Sequence, residues 1–189
     1  KHNILICNDN PYSFILNENY LSILSVEGAK DVALELNSLS KSHNMPGWRI
    51  GMVAGAKEYI SAVVKIKSNM DSGMFRPMQL AAAKALSVDS DWYNSINKVY
   101  IQRRALAEKI LDMTGCLYDK KQSGLFLWGR VSDKYSSGEE LADKLLYEAN
   151  IFITPGKVFG SNGENYIRIS LCSDTSKLNE SIKRVSKIL

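Results

Sequence analysis

Apolar residues come first in short runs and later in longer stretches with helical spacing. Residues 3–8, with Ile4-Leu5-Ile6-Cys7 between two asparagines, read as a buried strand, closed by the turn signal Asp9-Asn10-Pro11-Tyr12. Residues 13–31 are mixed and loop-rich, with a short helix allowed near 27–31. Alternation through Val32-Ala33-Leu34-Glu35-Leu36-Asn37 predicts a second strand over 32–38, and 48–54 reads as a third. Tyr59, Ile60, Val63 and Val64 then put one apolar stripe on a helix over 56–70. The alanine-rich segment 77–87 predicts a buried helix. A long helix over 91–113 turns Ile96, Val99, Tyr100, Leu106, Ile110 and Leu111 inward, and Thr114-Gly115 stops it.

The second half changes style. A strand over 124–129 precedes a helix over 138–149, whose apolar positions are Leu141, Leu145, Leu146 and Ala149. Strands over 151–154 and 166–171 follow. A closing helix over 174–189 buries Leu178, Ile182, Val185 and Ile188. This order predicts an α/β part over 1–90 and an α+β part over 91–189, bridged by the long helix. No repeat or low-complexity linker separates them.

Composition narrows the classes. At 189 residues the chain is long enough for one good core or two small domains, and 45% hydrophobic with 23% charged residues is ordinary for a globular protein. The net charge of +4 is mild and its lysines and arginines are scattered among acids, which argues against a nucleic-acid interface. Cys7, Cys116 and Cys172 are odd in number and lack CxxC spacing, so neither a disulfide framework nor a metal site is expected. They suit thiols in a reducing compartment. No apolar run approaches ~20 residues and no signal-peptide pattern is present, so a cytoplasmic protein without a membrane partner is expected. The chain starts directly on a strand without an initiator Met, which suggests the middle of something larger.

The chemistry concentrates around Lys41. It stands just past a strand end among Ser38, Ser40 and Ser42, with Arg49 eight residues on. Hydroxyls and a guanidinium suit a phosphate, and an amine can bond an aldehyde. Such an amine reacts only when its pKa falls from ~10.4 towards ~7–8. A lysine alone reads as a solvated loop residue; the surrounding block reverses that. Asp9 sits where a strand ends, the position from which α/β sheets present ligand-binding groups, or else it caps the Asn-Pro turn. Arg168 lies in the alternating run Tyr166-Ile167-Arg168-Ile169-Ser170. Facing inward it needs an anion; facing outward it is merely solvated.

Together, Asp-x-x-Tyr at 9–12, Ser-x-Ser-Lys at 38–41, Gly-Trp-Arg-x-Gly at 47–51 and Arg-x-Ser at 168–170 resemble the signature of fold-type I, class I/II aminotransferases. The resemblance covers essentially the whole chain but only the C-terminal half of the family's length. It implies the C-terminal part of the major α/β/α domain over 1–90 and the small α+β domain over 91–189. It implies pyridoxal 5′-phosphate as cofactor, and amino-group transfer between an amino acid and a 2-oxo acid through a Schiff base on Lys41, in a homodimer. Lys41 would also move the substrate α-proton, as base and then acid. Asp9 would hold the cofactor ring nitrogen protonated and Tyr12 would donate to its 3-oxygen. Ser38, Ser40 and Arg49 would hold the phosphate, Ser38 and Arg49 foremost. Arg168 would take the substrate α-carboxylate.

Pro155-Gly156 and Phe159-Gly160 resemble the family's Pro-Gly-x-x-Phe-Gly segment and read as loop geometry. His43 reads as a supporting or solvent residue, and Trp48 as packing. The family's glycine-rich phosphate turn, its asparagine and its stacking aromatic have no match here. The expectation is therefore a half-built site, inactive alone, with uncovered sheet edges. Lyase or synthase chemistry on the same cofactor, or a non-catalytic binding module of this fold, are the competing readings.

Overall fold

The computed structural model describes residues 2 and 4–189. They divide into two compact units, one ending at Asn94 and one beginning at Ser95.

The first unit holds a three-stranded sheet in the order β1 (Ile6–Asp9), β2 (Ala33–Ser38), β3 (Gly51–Gly55). β1 runs parallel to β2, with Asp9 opposite Leu36, and β3 runs antiparallel to β2, with Gly51 opposite Ser38. The run expected over 3–8 pairs only from Ile6; Asn3 lies outside the described residues. The third strand begins at Gly51 instead of 48, because Pro46–Trp48 form a 3-10 turn. Proline favours that start, having a fixed φ and no N–H to contribute to a ladder. A Cβ on Gly51 would stand 2.6 Å from the Asn37 carbonyl oxygen, so this crossing needs glycine.

Helix α1 (Leu39–Ser42) leaves β2 without a break, and α2 (Lys57–Met70) and α3 (Arg76–Ala85) follow β3. Leu39, Ile50 and Ala82 form a small core, with Met45 and Ala85 packed against it. α3 contributes Ala82 and Ala85 to it. The segment was expected to be buried, yet only Ala82 is enclosed and Leu80 is 61% exposed. The α2 stripe is likewise open at Val63 and Val64, and β1 and β3 are largely exposed. Helical periodicity names an apolar face but not its cover, and the described residues of this unit supply no second layer for it.

Helix α4 (Ser90–Met113) straddles the division, and Ala107, Ile110 and Leu111 belong to the core of the second unit. There β4 (Leu117–Tyr118), β5 (Phe126–Arg130), β6 (Thr154–Pro155) and β7 (Tyr166–Ser170) form an antiparallel sheet in the order β4-β5-β7-β6. Helices α5 (Gly138–Ala149) and α6 (Thr175–Val185) accompany it. Leu111, Leu127, Leu141, Leu145, Ile167, Leu171 and Val185 are fully buried. Burying such side chains is worth about 1.5–3 kcal/mol each. β4 is too short to show a period, and the sequence reading has no counterpart for it.

The strand expected over 151–154 is corrected to two paired residues. Ile151 and Ile153 are buried around Phe152, which is 74% exposed, so the period-2 burial is real. Only Thr154 and Pro155 find partners, Arg168 and Ile167. Asn150 ends α5 in the left-handed region, and Ile151–Ile153 run from it as an extended connection outside the ladder.

Gly138 opens α5 against β7. A Cβ there would come within 1.9 Å of the Tyr166 carbonyl oxygen and 2.7 Å of its carbon, both rigid backbone. Gly138→Ala is expected to destabilise the second unit by about 3 kcal/mol or more, read by denaturant unfolding. Gly160→Ala, strained in φ but facing open space, should cost only about 1 kcal/mol. Equal costs would contradict the close contact.

Candidate functional site

Lys41 occupies the third position of α1. Ser38 ends β2 in extended conformation, and its Oγ accepts from the Ser40 N–H at 3.1 Å, capping the turn that carries the lysine. The Ser38 and Ser40 hydroxyls lie 2.9 Å apart, and Ser38 Oγ is 3.4 Å from the Ile50 carbonyl. Ser38 therefore both ends its strand and presents a hydroxyl beside the lysine turn. Lys41 is half-buried, and its Nζ stands 5.9 Å from the centroid of the Tyr12 ring. Tyr12 lies in the turn leaving β1, and Asp9 closes that strand with its side chain exposed.

Arg49 follows the Pro46–Trp48 turn with φ 51° and ψ 47°. A non-glycine residue held there costs roughly 1–2 kcal/mol. Its Nη1 donates to the Pro46 carbonyl at 2.8 Å, leaving the rest of the fork exposed. Trp48, read as packing, is 47% exposed and is corrected to a surface residue of its unit. Tyr12 and Lys41 are thus brought together, Ser38 and Ser40 are neighbours, and Asp9 and Arg49 sit on the segments flanking them.

Behind the lysine lies a buried polar cluster that the sequence did not reveal. His43 is 5% exposed, with Nδ1 2.8 Å from Ser42 Oγ and Nε2 3.2 Å from the Tyr93 hydroxyl. Trp92 Nε1 donates to the Ser42 carbonyl at 3.0 Å, and Phe14 stacks on Tyr93 at 4.9 Å. The solvent option for His43 is therefore excluded. Burial pushes the imidazole below its ordinary 6.5, against a backbone hydrogen bond with Ala85 that favours the charged form.

The sign of the pH effect follows. Below about pH 6.5 the unfolded chain binds a proton that the fold resists. Stability is complete above that value and is lost as pH falls through the lower folded-state value. Thermal unfolding between about pH 7.5 and about 5.5 should steepen on the acid side for the natural protein and flatten in His43→Gln. Parallel curves would contradict a neutral buried His43.

Arg168 belongs to the second unit. Ile167 and Ile169 face the core, which puts Arg168 on the other face of β7. Its guanidinium carbon lies 4.2 Å from the centroid of Phe126 and 4.4 Å from that of Phe159. Two aromatic rings thus clamp the planar cation. Nε of Arg168 is buried without a hydrogen-bond partner among the described residues. A buried donor left in that state costs about 1–3 kcal/mol unless an acceptor arrives.

Phe159 comes from the Pro155–Gly160 segment, read from sequence as loop geometry only. The segment is held by a Gly156–Gly163 contact so close that a Cβ on Gly163 would come within 2.1 Å of the Gly156 oxygen. Phe126 reaches Arg168 because Trp128 is registered opposite it, placing Phe126 diagonally on the same face. Neither ring could be assigned before the strand register was known. The aromatic residues at 126, 128, 159 and 166 were the available signal.

Among the described residues no group of three or more His, Cys, Asp or Glu could hold a metal ion. No described helix is long and apolar enough to cross a membrane.

The chain is similar to known proteins along its length. The family model for aminotransferase class I and II matches residues 1–185. An LL-diaminopimelate aminotransferase of Aquifex aeolicus is 40% identical over 190 residues, covering 100% of this chain and 49% of that protein. One of Nitratidesulfovibrio vulgaris is 37% identical over 191 residues, with the same coverage. The solved structure of an aromatic aminotransferase from Pyrococcus horikoshii OT3 superimposes with a TM-score of 0.90 at 31% identity, over 100% of this chain and 51% of that one. The chain spans about half the length of the curated relatives it matches. It belongs to the class I and II aminotransferases, a family dependent on pyridoxal phosphate.

Proposed function

We propose that this chain supplies the catalytic lysine and the carboxylate-binding arginine of an enzyme that moves an amino group between an amino acid and a 2-oxo acid. The observation that carries the reading is the Lys41 amine held over the Tyr12 ring at the foot of the Ser38-capped turn. The donor set fits pyridoxal phosphate: an amine beside a phenol, a carboxylate at a strand end, two adjacent hydroxyls and a guanidinium. Bound there, the cofactor supplies an aldehyde and an electron-withdrawing ring that eases removal of the substrate α-proton.

The chain's own residues do the rest. Nζ of Lys41 would be the amine that holds the cofactor and, when free of it, would take and return the substrate α-proton. Asp9 would hold a proton on the ring nitrogen through a charge-assisted bond, and the Tyr12 hydroxyl would donate to the 3-oxygen. Ser38, Ser40 and Arg49 would hold the phosphate. Arg168, already clamped by its rings, spends its unpartnered Nε on the substrate carboxylate and fixes the Cα–H bond for cleavage.

In this reading residues 1–90 are the cofactor-binding part and 91–189 the small domain. The half of the relatives' length that this chain does not span completes the site, and a second copy is the partner. The 189 residues alone are then inactive. Three free cysteines suit a reducing, cytoplasmic setting. The names of the curated relatives make LL-diaminopimelate the first amino donor to try.

The test is a half-reaction. The intact, cofactor-loaded protein given an amino donor and no acceptor should release one equivalent of 2-oxo acid per Lys41 and stop until a 2-oxo acid is added. Continuous product without acceptor would indicate lyase chemistry instead. No release from any donor would reject the reading.

A further inference from the structure

Glu35 stands in an otherwise apolar stretch of β2, opposite Asn8 on β1 and Ala54 on β3. Its carboxylate collects donors from both sides of the Asp9–Tyr12 turn. Oε2 accepts from Ser22 Oγ at 2.7 Å and from the Ile23 N–H at 2.8 Å. Asn8 Nδ2 reaches Oε2, and Asn10 Nδ2 reaches Oε1, each at a longer 3.5 Å. The first two are short, charge-assisted bonds; the second two orient more than they bind.

Asn10 extends the clasp. Its N–H donates to the Leu36 carbonyl at 2.9 Å, its Nδ2 also reaches the Leu21 carbonyl at 3.2 Å, and its Oδ1 accepts from Ser13 Oγ at 2.5 Å. Asn8 and Asn10 flank Asp9, and Ser13 follows Tyr12. The loop over 20–23, the end of β1 and the start of the turn are therefore tied to one carboxylate. Burial alone would raise the Glu35 carboxyl, but the hydrogen bonds from Ser22, Ile23, Asn8 and Asn10 outweigh it and hold it below the usual carboxylate range.

We propose that Glu35 is a positioning residue: it locks residues 10–23 across the end of β1 and so sets where Asp9 and Tyr12 present their carboxylate and phenol. The inference rests on the reading of Asp9 and Tyr12 given above. A residue that merely stapled a loop would leave the cofactor's electronic environment unchanged. One that positions Asp9 and Tyr12 alters it, because those two groups set the protonation of the bound ring and of its link to Lys41.

Two substitutions separate the parts of the clasp. Glu35→Ala removes every acceptor. Glu35→Gln keeps one oxygen for Ser22 and Ile23 but turns an amide donor towards the Asn10 donor. In cofactor-free protein, hydrogen exchange over 20–25 should speed by about tenfold in Glu35→Ala and stay close to natural in Glu35→Gln. In the intact loaded protein, Glu35→Ala should weaken cofactor binding by about tenfold. Both variants should shift the pH midpoint of the bound cofactor's absorbance, Glu35→Gln in the same direction and less.

An unchanged midpoint and unchanged cofactor affinity in both variants, with exchange accelerated in Glu35→Ala, overturns the inference and leaves Glu35 a loop staple. Should Glu35→Ala fail to fold, Glu35→Gln and Ser22→Ala carry the same test, each expected to move the midpoint. Borohydride labelling that survives Lys41→Ala overturns the reading of the site itself. Labelling at Lys41 together with an indifferent Glu35→Gln overturns this inference alone.

Discussion

Lys41→Ala is expected to lower amino-transfer turnover in the intact protein by at least about 10⁴-fold while leaving the fold in place. The side chain is half-buried on a short turn with its amine 5.9 Å from the Tyr12 ring, so its removal should cost no more than about 1 kcal/mol of stability. The loss is therefore chemical. Lys41→Arg sharpens the point, since it keeps the charge over Tyr12 but offers no amine able to bond an aldehyde or exchange a proton at neutral pH. Turnover by Lys41→Arg within about tenfold of natural would show that charge, and not the amine, is what the site needs.

The second large effect is at Arg168. Arg168→Lys retains a cation on the same face of β7 but loses the planar fork that Phe126 and Phe159 clamp. Two charge-assisted bonds to a carboxylate are worth about 3 kcal/mol or more, so KM for both amino acid and 2-oxo acid should rise by about 10²-fold. An amine substrate without a carboxylate should be handled equally by both forms, because it never used the fork. Phe159→Leu should raise KM less, loosening one side of the clamp while sparing the cation. Unchanged KM in Arg168→Lys would remove Arg168 from the substrate site.

Much of the candidate site was legible because its parts are local in sequence. Ser38, Ser40, Lys41 and Arg49 fall within twelve residues, and the strand before them alternates clearly, so the block could be placed at a strand end without tertiary information. Asp9 and Tyr12 were legible for the same reason, as a turn after an apolar run. What escaped depends on register or on distant partners. Phe126 and Phe159 meet Arg168 only once β5, β6 and β7 are aligned. His43 meets Tyr93 across fifty residues, and Glu35 takes its donors from a loop without periodicity. α3 was misread as buried because an alanine-rich segment looks the same whether or not a second layer covers it. Residues 151–154 show the converse, since Ile151 and Ile153 alternate with Phe152 for reasons of burial while the ladder begins only at Thr154.

The central claim is that Lys41 is the residue to which the cofactor is joined. The most direct measurement is borohydride reduction of the intact protein loaded with pyridoxal phosphate, followed by mass mapping of its peptides. The account predicts one stable cofactor adduct per chain, on the peptide carrying Lys41 and on no other. An adduct on another lysine, or none under conditions where the protein transfers amino groups, would contradict it.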